Sequence, residues 1–303
     1  MIRTKRLTPA LLNAWLVDQS VPNSHPTYRL RVRKEDRGAF AAIKEEAIAY
    51  FDEAFDDARG RLRQGFEDDL SPFNDPNTDP AANYPALLHT GTLQGYLGES
   101  LAVLAVEHWG AVGHEDWCVP AVLFRFHYQE FQHLDTINAR LLAGEIFQPD
   151  AVAERRPGRT GDDALAFRID PTGIITDVLT LEAKCLARNY PSKIKEAHEK
   201  LASAGTRPPG VMELVHILDE YETPAAHLWQ RALLDLWKDG YKSAHRYDAV
   251  SYACGRVPAQ PGRIAWMPSG QPHPAYTVRR RLDGIEFQFA DLASVISSVY
   301  RVK

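Results

Sequence analysis

Cysteine is scarce in this chain: three among 303 residues, Cys118, Cys185 and Cys254, with no Cys-x-x-Cys pair. That excludes a disulfide framework and a thiolate zinc site, and it fits a reducing cytoplasm. The three read as small buried hydrophobes. Long apolar runs are also missing; none approaches the ~20 residues that span a bilayer, so no membrane association is expected. The N-terminal stretch MIRTKRLTPALLNAWLVDQS is basic at first. Its apolar part is broken by Asn13 and Asp18 and lacks a clear small-residue cleavage site, so it does not read as a signal peptide. Excess positive charge is absent too: 35 Lys and Arg stand against 40 Asp and Glu, a net charge of −5. This counts against a free-standing, high-affinity nucleic-acid binder, but leaves room for a local basic groove or a partner that supplies affinity. The stretch GYLG lacks the Gly-Lys-Ser/Thr ending of a phosphate loop.

What is present is the composition of a globular protein, 45% hydrophobic and 25% charged. The length suits one large domain or two modest ones. YRLRVR (28–33) alternates apolar and basic residues and predicts an exposed strand. Residues 37–67 predict one long helix or two in series. The Pro-, Asn- and Asp-rich stretch 71–85 reads as a loop. It sets the expected boundary between an N-terminal strand and helical extension, 1–85, and a main body, 86–303. Residues 91–110 predict a strongly apolar helix, and 119–143 a strand running into an amphipathic helix. A β-hairpin is expected over 164–185, turning near Asp170–Gly173. Segments 190–204 and 210–240 read as helical, 246–255 as a strand, and 285–302 as a strand then a helix. The expected fold class is α/β (α+β), a small mixed β-sheet flanked by helices.

TDVLTLEAKC (176–185) raises the functional question. Val178, Leu179, Thr180 and Leu181 are strand-prone, yet Glu182 and Lys184 follow, and buried charges are costly unless paired or metal-bound. Strand side chains alternate faces. Thr180, Glu182 and Lys184 therefore share one face, and Leu179, Leu181, Ala183 and Cys185 the other, so the charges face a site. The hairpin brings the start of 163–169 near the end of 176–185, where Asp163 can meet Glu182. Asp162 competes for that role; Asp163 is favoured because it directly precedes the apolar strand. Hard carboxylate oxygens suit Mg²⁺ or Mn²⁺, and an adjacent lysine can orient water and stabilise charge on a phosphate oxygen. Glu99, among Leu97, Leu101, Ala102 and Val103, is a third carboxylate in need of a proton, a partner or a metal.

This set resembles the PD-(D/E)XK nuclease superfamily. The likeness rests on Glu99 in a helix, Asp163 before a strand, Glu182-Ala183-Lys184 in the paired strand, and a following helix with Lys193 and Lys195. It implies a restriction-endonuclease-like core over roughly residues 91–302, with a mixed four-stranded sheet. It further implies that Asp163 and Glu182 bind Mg²⁺ (or Mn²⁺), that Glu99 completes the metal site and that Lys184 assists the attacking water. The chain departs from the literal pattern in having no Pro before the candidate Asp. More narrowly, GYLGESLA, GDDALAF, LEAKC, YDAVSYACG and FADLASVISSVYRV resemble the nuclease subunit of Hachiman-type antiphage defence systems. That likeness implies a DNA substrate, a role in bacterial antiphage defence and a helicase partner.

Other readings compete. A nuclease-fold subunit without activity would serve as a binding or assembly module. His127, Glu130 and His133 suggest a zinc hydrolase, although a six-residue spacing points the two rings well apart around a helix. Asp177 is a rival ligand but lies on the opposite face from Glu182. ERRPGR (154–159) and VRRR (278–281) read either as solvated loops or as phosphate contacts. Trp229 and Trp237 read as core.

Overall fold

A computed structural model describes residues 7–56, 59, 84–86, 88–121, 136, 139–140, 143–144, 162–205, 207–219 and 221–300. In chain order these form α1 (Pro9–Trp15), β1 (Leu16–Gln19), β2 (Tyr28–Glu35), α2 (Arg37–Ala42), α3 (Lys44–Asp52) and α4 (Thr90–Trp109). There follow β3 (Ala164–Ile169), β4 (Ile175–Leu186), α5 (Pro191–Ser203), α6 (Gly210–Asp219), α7 (Pro224–Asp239), β5 (His245–Cys254), β6 (Leu282–Gln288) and α8 (Leu292–Tyr300). The strands make one six-stranded mixed sheet in the order β1-β2-β6-β5-β4-β3. β2, β6, β5 and β4 run parallel, and the two outer pairings are antiparallel.

The alternation expected in 176–185 divides the molecule into two layers. Leu179, Leu181 and partly buried Ala183 pack with Ala102, Val103 and Val106 of α4. On the other face, Leu165, Phe167 and Val178 pack against α6 and α7. Farther along that face, Val250, Tyr252 and Leu282 cover Ile194, Ala197 and Leu201 of α5. Both sheet faces are therefore covered by helices, as parallel strands require.

Local chemistry sets the element ends. Asp170 Oδ1 accepts from the backbone N–H of Thr172 and Ile174, and Gly173 takes φ 92°, closing the β3–β4 hairpin. The stretch 210–240 is two helices, not one. Thr223 caps α7 by accepting from Ala226 N–H, with Pro224 in the first turn. Residues 37–55 of the stretch 37–67 give α2, α3 and then a 3₁₀ turn, Glu53–Phe55, while 57–58 and 60–67 lie outside the described residues. Most of 119–143, most of 71–85 and the segment 154–159 lie outside the described residues.

The exposed strand expected at 28–33 is a correction. β2 is paired on both edges, by β1 and β6, and Leu30 and Val32 are fully buried. Its arginines are paired as well: Arg29 and Arg31 lie 2.6 and 3.3 Å from buried Asp283. Arg31 also donates to the carbonyls of Trp109 and Gly110 at the end of α4, and Arg33 lies over the Trp109 ring. Arg29 and Arg31 looked solvated because their partners, Asp283 and the end of α4, come from 70 and more positions away. The segment expected as an N-terminal extension thus supplies two strands of the sheet, and its Tyr50, Phe51 and Phe55 share a core with α4 and α8.

α4 lies close on β4 at one point. A Cβ at Gly98 would stand 2.7 Å from Cys185 Cβ, so this helical glycine permits the approach. Gly98→Val is expected to cost about 1–3 kcal/mol by overpacking. Urea unfolding reads this directly, and an unchanged midpoint would contradict the close packing of α4 on β4.

Candidate functional site at the β3–β4 margin

β4 outruns β3. Among the described residues, β3 pairs with β4 only as far as Ala164 opposite Leu181. Asp163 stands one step beyond, and its Oδ2 accepts from Ala183 N–H at 2.7 Å, taking over the ladder where the strand stops. This fixes the carboxyl opposite Glu182 on the α5 face of the sheet. Glu182 is 1% exposed. Lys184, two residues on, donates to Glu182 Oε1 at 2.6 Å and lies 3.6 Å from Glu196 of α5. The structure thus brings together Asp163, Glu182 and Lys184, as the alternation predicts.

A fourth member was not anticipated. Lys200 Nζ lies 2.6 Å from Glu182 Oε2 and 3.3 Å from Asp163 Oδ1. The sequence points to this helix but to the wrong lysines: Lys193 pairs with Glu196 and Lys195 with Glu199, both on exposed ground. A signal was available. β4 and β5 are parallel, so the chain between them must return to the start of β4, and α5, the first of the three helices in that crossover, runs back along the strand. Its first turn lies past the strand's end, Glu196 comes level with Lys184, and its last turn, with Lys200, comes level with Glu182.

Two carboxylates and two ammonium groups occupy this small volume. Burial, followed by repulsion from Asp163, pushes the Glu182 pKa up to about 7, against the pull of the two lysines. Burial works against charge on both ammonium groups, but the carboxylates outweigh it and raise both lysine pKa values. The result is a buried Glu182 carboxylate held by partly exposed ammonium groups, and removing one partner leaves its charge uncompensated.

The donor set suits a hard dication. Oxygens from two different residues converge on one cationic centre, the Lys200 ammonium, and Mg²⁺ is commonly held by one or two carboxylates with water and phosphate oxygens. A third acidic ligand is not at hand: among the described residues, no group of three or more His, Cys, Asp or Glu side chains could hold a metal ion.

Other sequence candidates fall elsewhere. Asp162 turns away, and its Oδ2 accepts from Gly210 N–H at the start of α6. That separates it from Asp163, a choice spacing alone left open. Asp177 is an ion-pair partner of Arg168 at 2.8 Å. Glu99 is buried in α4, on the helix stripe of Ala102, Val103 and Val106, which packs on the opposite face of β4 from Glu182 and Lys184. The expectation that α4 delivers it beside Asp163 and Glu182 is not met by this packing. His127, Glu130 and His133 lie outside the described residues. Within VRRR, Arg280 is no solvated loop residue: it donates to Asp248 Oδ2 at 2.7 Å and to Leu201 O at 2.7 Å. Asp248 is fully buried and also accepts from Tyr276 OH. This network ties the last turn of α5, and hence Lys200, to the sheet.

No family model matches the chain, and no curated protein matches it.

His198, on the buried stripe of α5, gives a pH test of that docking. Its Nδ1 bonds Ile194 O at 2.7 Å, and the His273 and Tyr276 rings lie against it. Burial, offset in part by the Ile194 carbonyl, lowers its pKa from 6.5 to about 4. The unfolded chain therefore takes up a proton first as pH falls below 6.5. Stability is lost between that point and about pH 4, by about 3 kcal/mol at most. Melting temperatures across this range should fall less steeply in His198→Leu than in the wild type. Parallel curves would contradict a neutral, buried imidazole.

Proposed function

We propose that the chain is a metal-dependent nuclease of the PD-(D/E)XK type, hydrolysing phosphodiester bonds in DNA. The observation that carries this reading is the convergence of Asp163, Glu182 and Lys184 at the margin of β3 and β4. The order helix, hairpin, three helices, strand around a mixed sheet is compatible with a restriction-endonuclease-like core within the six strands. The role in antiphage defence and the helicase partner rest on the sequence resemblance, and the net charge of −5 suits a nuclease that relies on a partner for nucleic-acid affinity. No helix of the described residues is long and apolar enough to cross a membrane.

In this reading Asp163 and Glu182 hold the Mg²⁺ or Mn²⁺ ion. Bound there, the dication supplies Lewis acidity and offsets their mutual repulsion. Lys184, anchored between Glu182 and Glu196, keeps its ammonium at the mouth of the site, where it positions the attacking water and stabilises negative charge on the phosphate.

A second reading has its own observation. The four charges already balance without a metal, which suits a binding or assembly subunit of the same fold with no activity.

Incubation with linear, circular and single-stranded DNA in Mg²⁺ or Mn²⁺ separates the two. The nuclease reading predicts cleavage that drops by about 10²-fold or more in Lys184→Ala, Glu182→Ala and Asp163→Asn. Asp162→Asn should keep most of it. Absence of cutting together with absence of Mn²⁺ binding by calorimetry would leave the assembly reading standing.

A further inference from the structure

Resting on the metal-site reading above, we infer that Lys200 is the resident counter-ion of the carboxylate pair. It competes with the divalent cation for Asp163 and Glu182 and so sets the metal affinity of the site.

Three observations carry this. First, among the described residues Lys200 is the one ammonium that touches both carboxylates. It meets Glu182 Oε2 and Asp163 Oδ1, whereas Lys184 meets Glu182 through the other oxygen, Oε1. A cation bridging Asp163 and Glu182 and the Lys200 ammonium therefore claim the same oxygens. Second, the two lysines are anchored differently. Lys184 has a second partner in Glu196, while among the described residues the ion-pair partners of Lys200 are only the two carboxylates. Third, Lys200 has somewhere to go. Its side chain is 35% exposed against 19% for Lys184, and it stands in the last turn of α5, where backbone carbonyls favour positive charge. The helix itself need not move, because Arg280 and Asp248 hold the following residue's carbonyl in place.

Removing a structural lysine ordinarily weakens a site. Removing a competitor strengthens it, and that sign is the test. Mn²⁺ titration calorimetry on the full chain would compare the wild type with Lys200→Met and Lys184→Met, with circular dichroism melts to confirm folding. Lys200→Gln substitutes if the methionine variant does not fold. Lys200→Met or Lys200→Gln should bind Mn²⁺ about tenfold more tightly or better, the order expected on removing a unit charge from a partly screened site. Lys184→Met should gain less. Mn²⁺ bound by a Lys200 variant but not by the wild type would support the inference most strongly. Equal or weaker binding in the Lys200 variants, with the wild type binding Mn²⁺, would overturn the counter-ion role and leave the metal site standing. Failure of the folded Lys200 variants and the wild type alike to bind Mn²⁺ would overturn the metal site, and the competition with it.

Discussion

The buried carboxylate of Glu182 is the constraint on which the surrounding structure depends. Placed on a strand with helices on both faces, it has no water to solvate it. The fold answers with two ammonium groups, each bonded to a different oxygen at 2.6 Å. The bond to Lys200 goes with the course of α5, whose apolar stripe of Ile194, Ala197 and Leu201 packs on the sheet and brings Lys200 level with Glu182. The Asp248–Arg280–Tyr276 network fixes the end of that helix on the sheet. Asp163 adds a second negative charge at the same point while finishing the β3–β4 ladder through Ala183. One local problem of desolvation thus connects the hairpin, the crossover helix and the loop before β6.

Such an arrangement is a weak way to stabilise a protein. Buried ion clusters seldom outperform apolar packing of the same volume, and breaking one member strands the others. Retaining four charges here is better understood as a requirement of the site. A carboxylate pair held close together by ammonium groups, with the Glu182 pKa raised by burial, is the kind of setting in which functional groups are sought.

Much of this was legible in the chain itself. The period-two pattern of 176–185 assigned Glu182 and Lys184 to one face, and the hairpin placed Asp163 opposite Glu182. Helix 90–109, its end at Gly110 and the hairpin turn followed from apolar content and from Gly and Asp chemistry. The failures share a cause. β2 looked exposed because Asp283 and the end of α4, the partners of Arg29 and Arg31, are remote in sequence. Lys200 was overlooked because its partners are met only once the direction of the crossover helix is considered. Glu99 was expected at the site because its burial in an apolar helix was recognisable, whereas the sheet face on which that helix docks was not. Asp162 and Asp163 were inseparable by spacing and were resolved by their backbone partners, Gly210 and Ala183.

The most direct measurement is a crystal structure at saturating Mn²⁺, with the metal located by its anomalous scattering. The account predicts a single strong peak bonded to Asp163 and Glu182, with the Lys200 ammonium withdrawn from both and Lys184 still on Glu182. A peak located elsewhere, or Lys200 still bridging the two carboxylates with no metal between them, would contradict it.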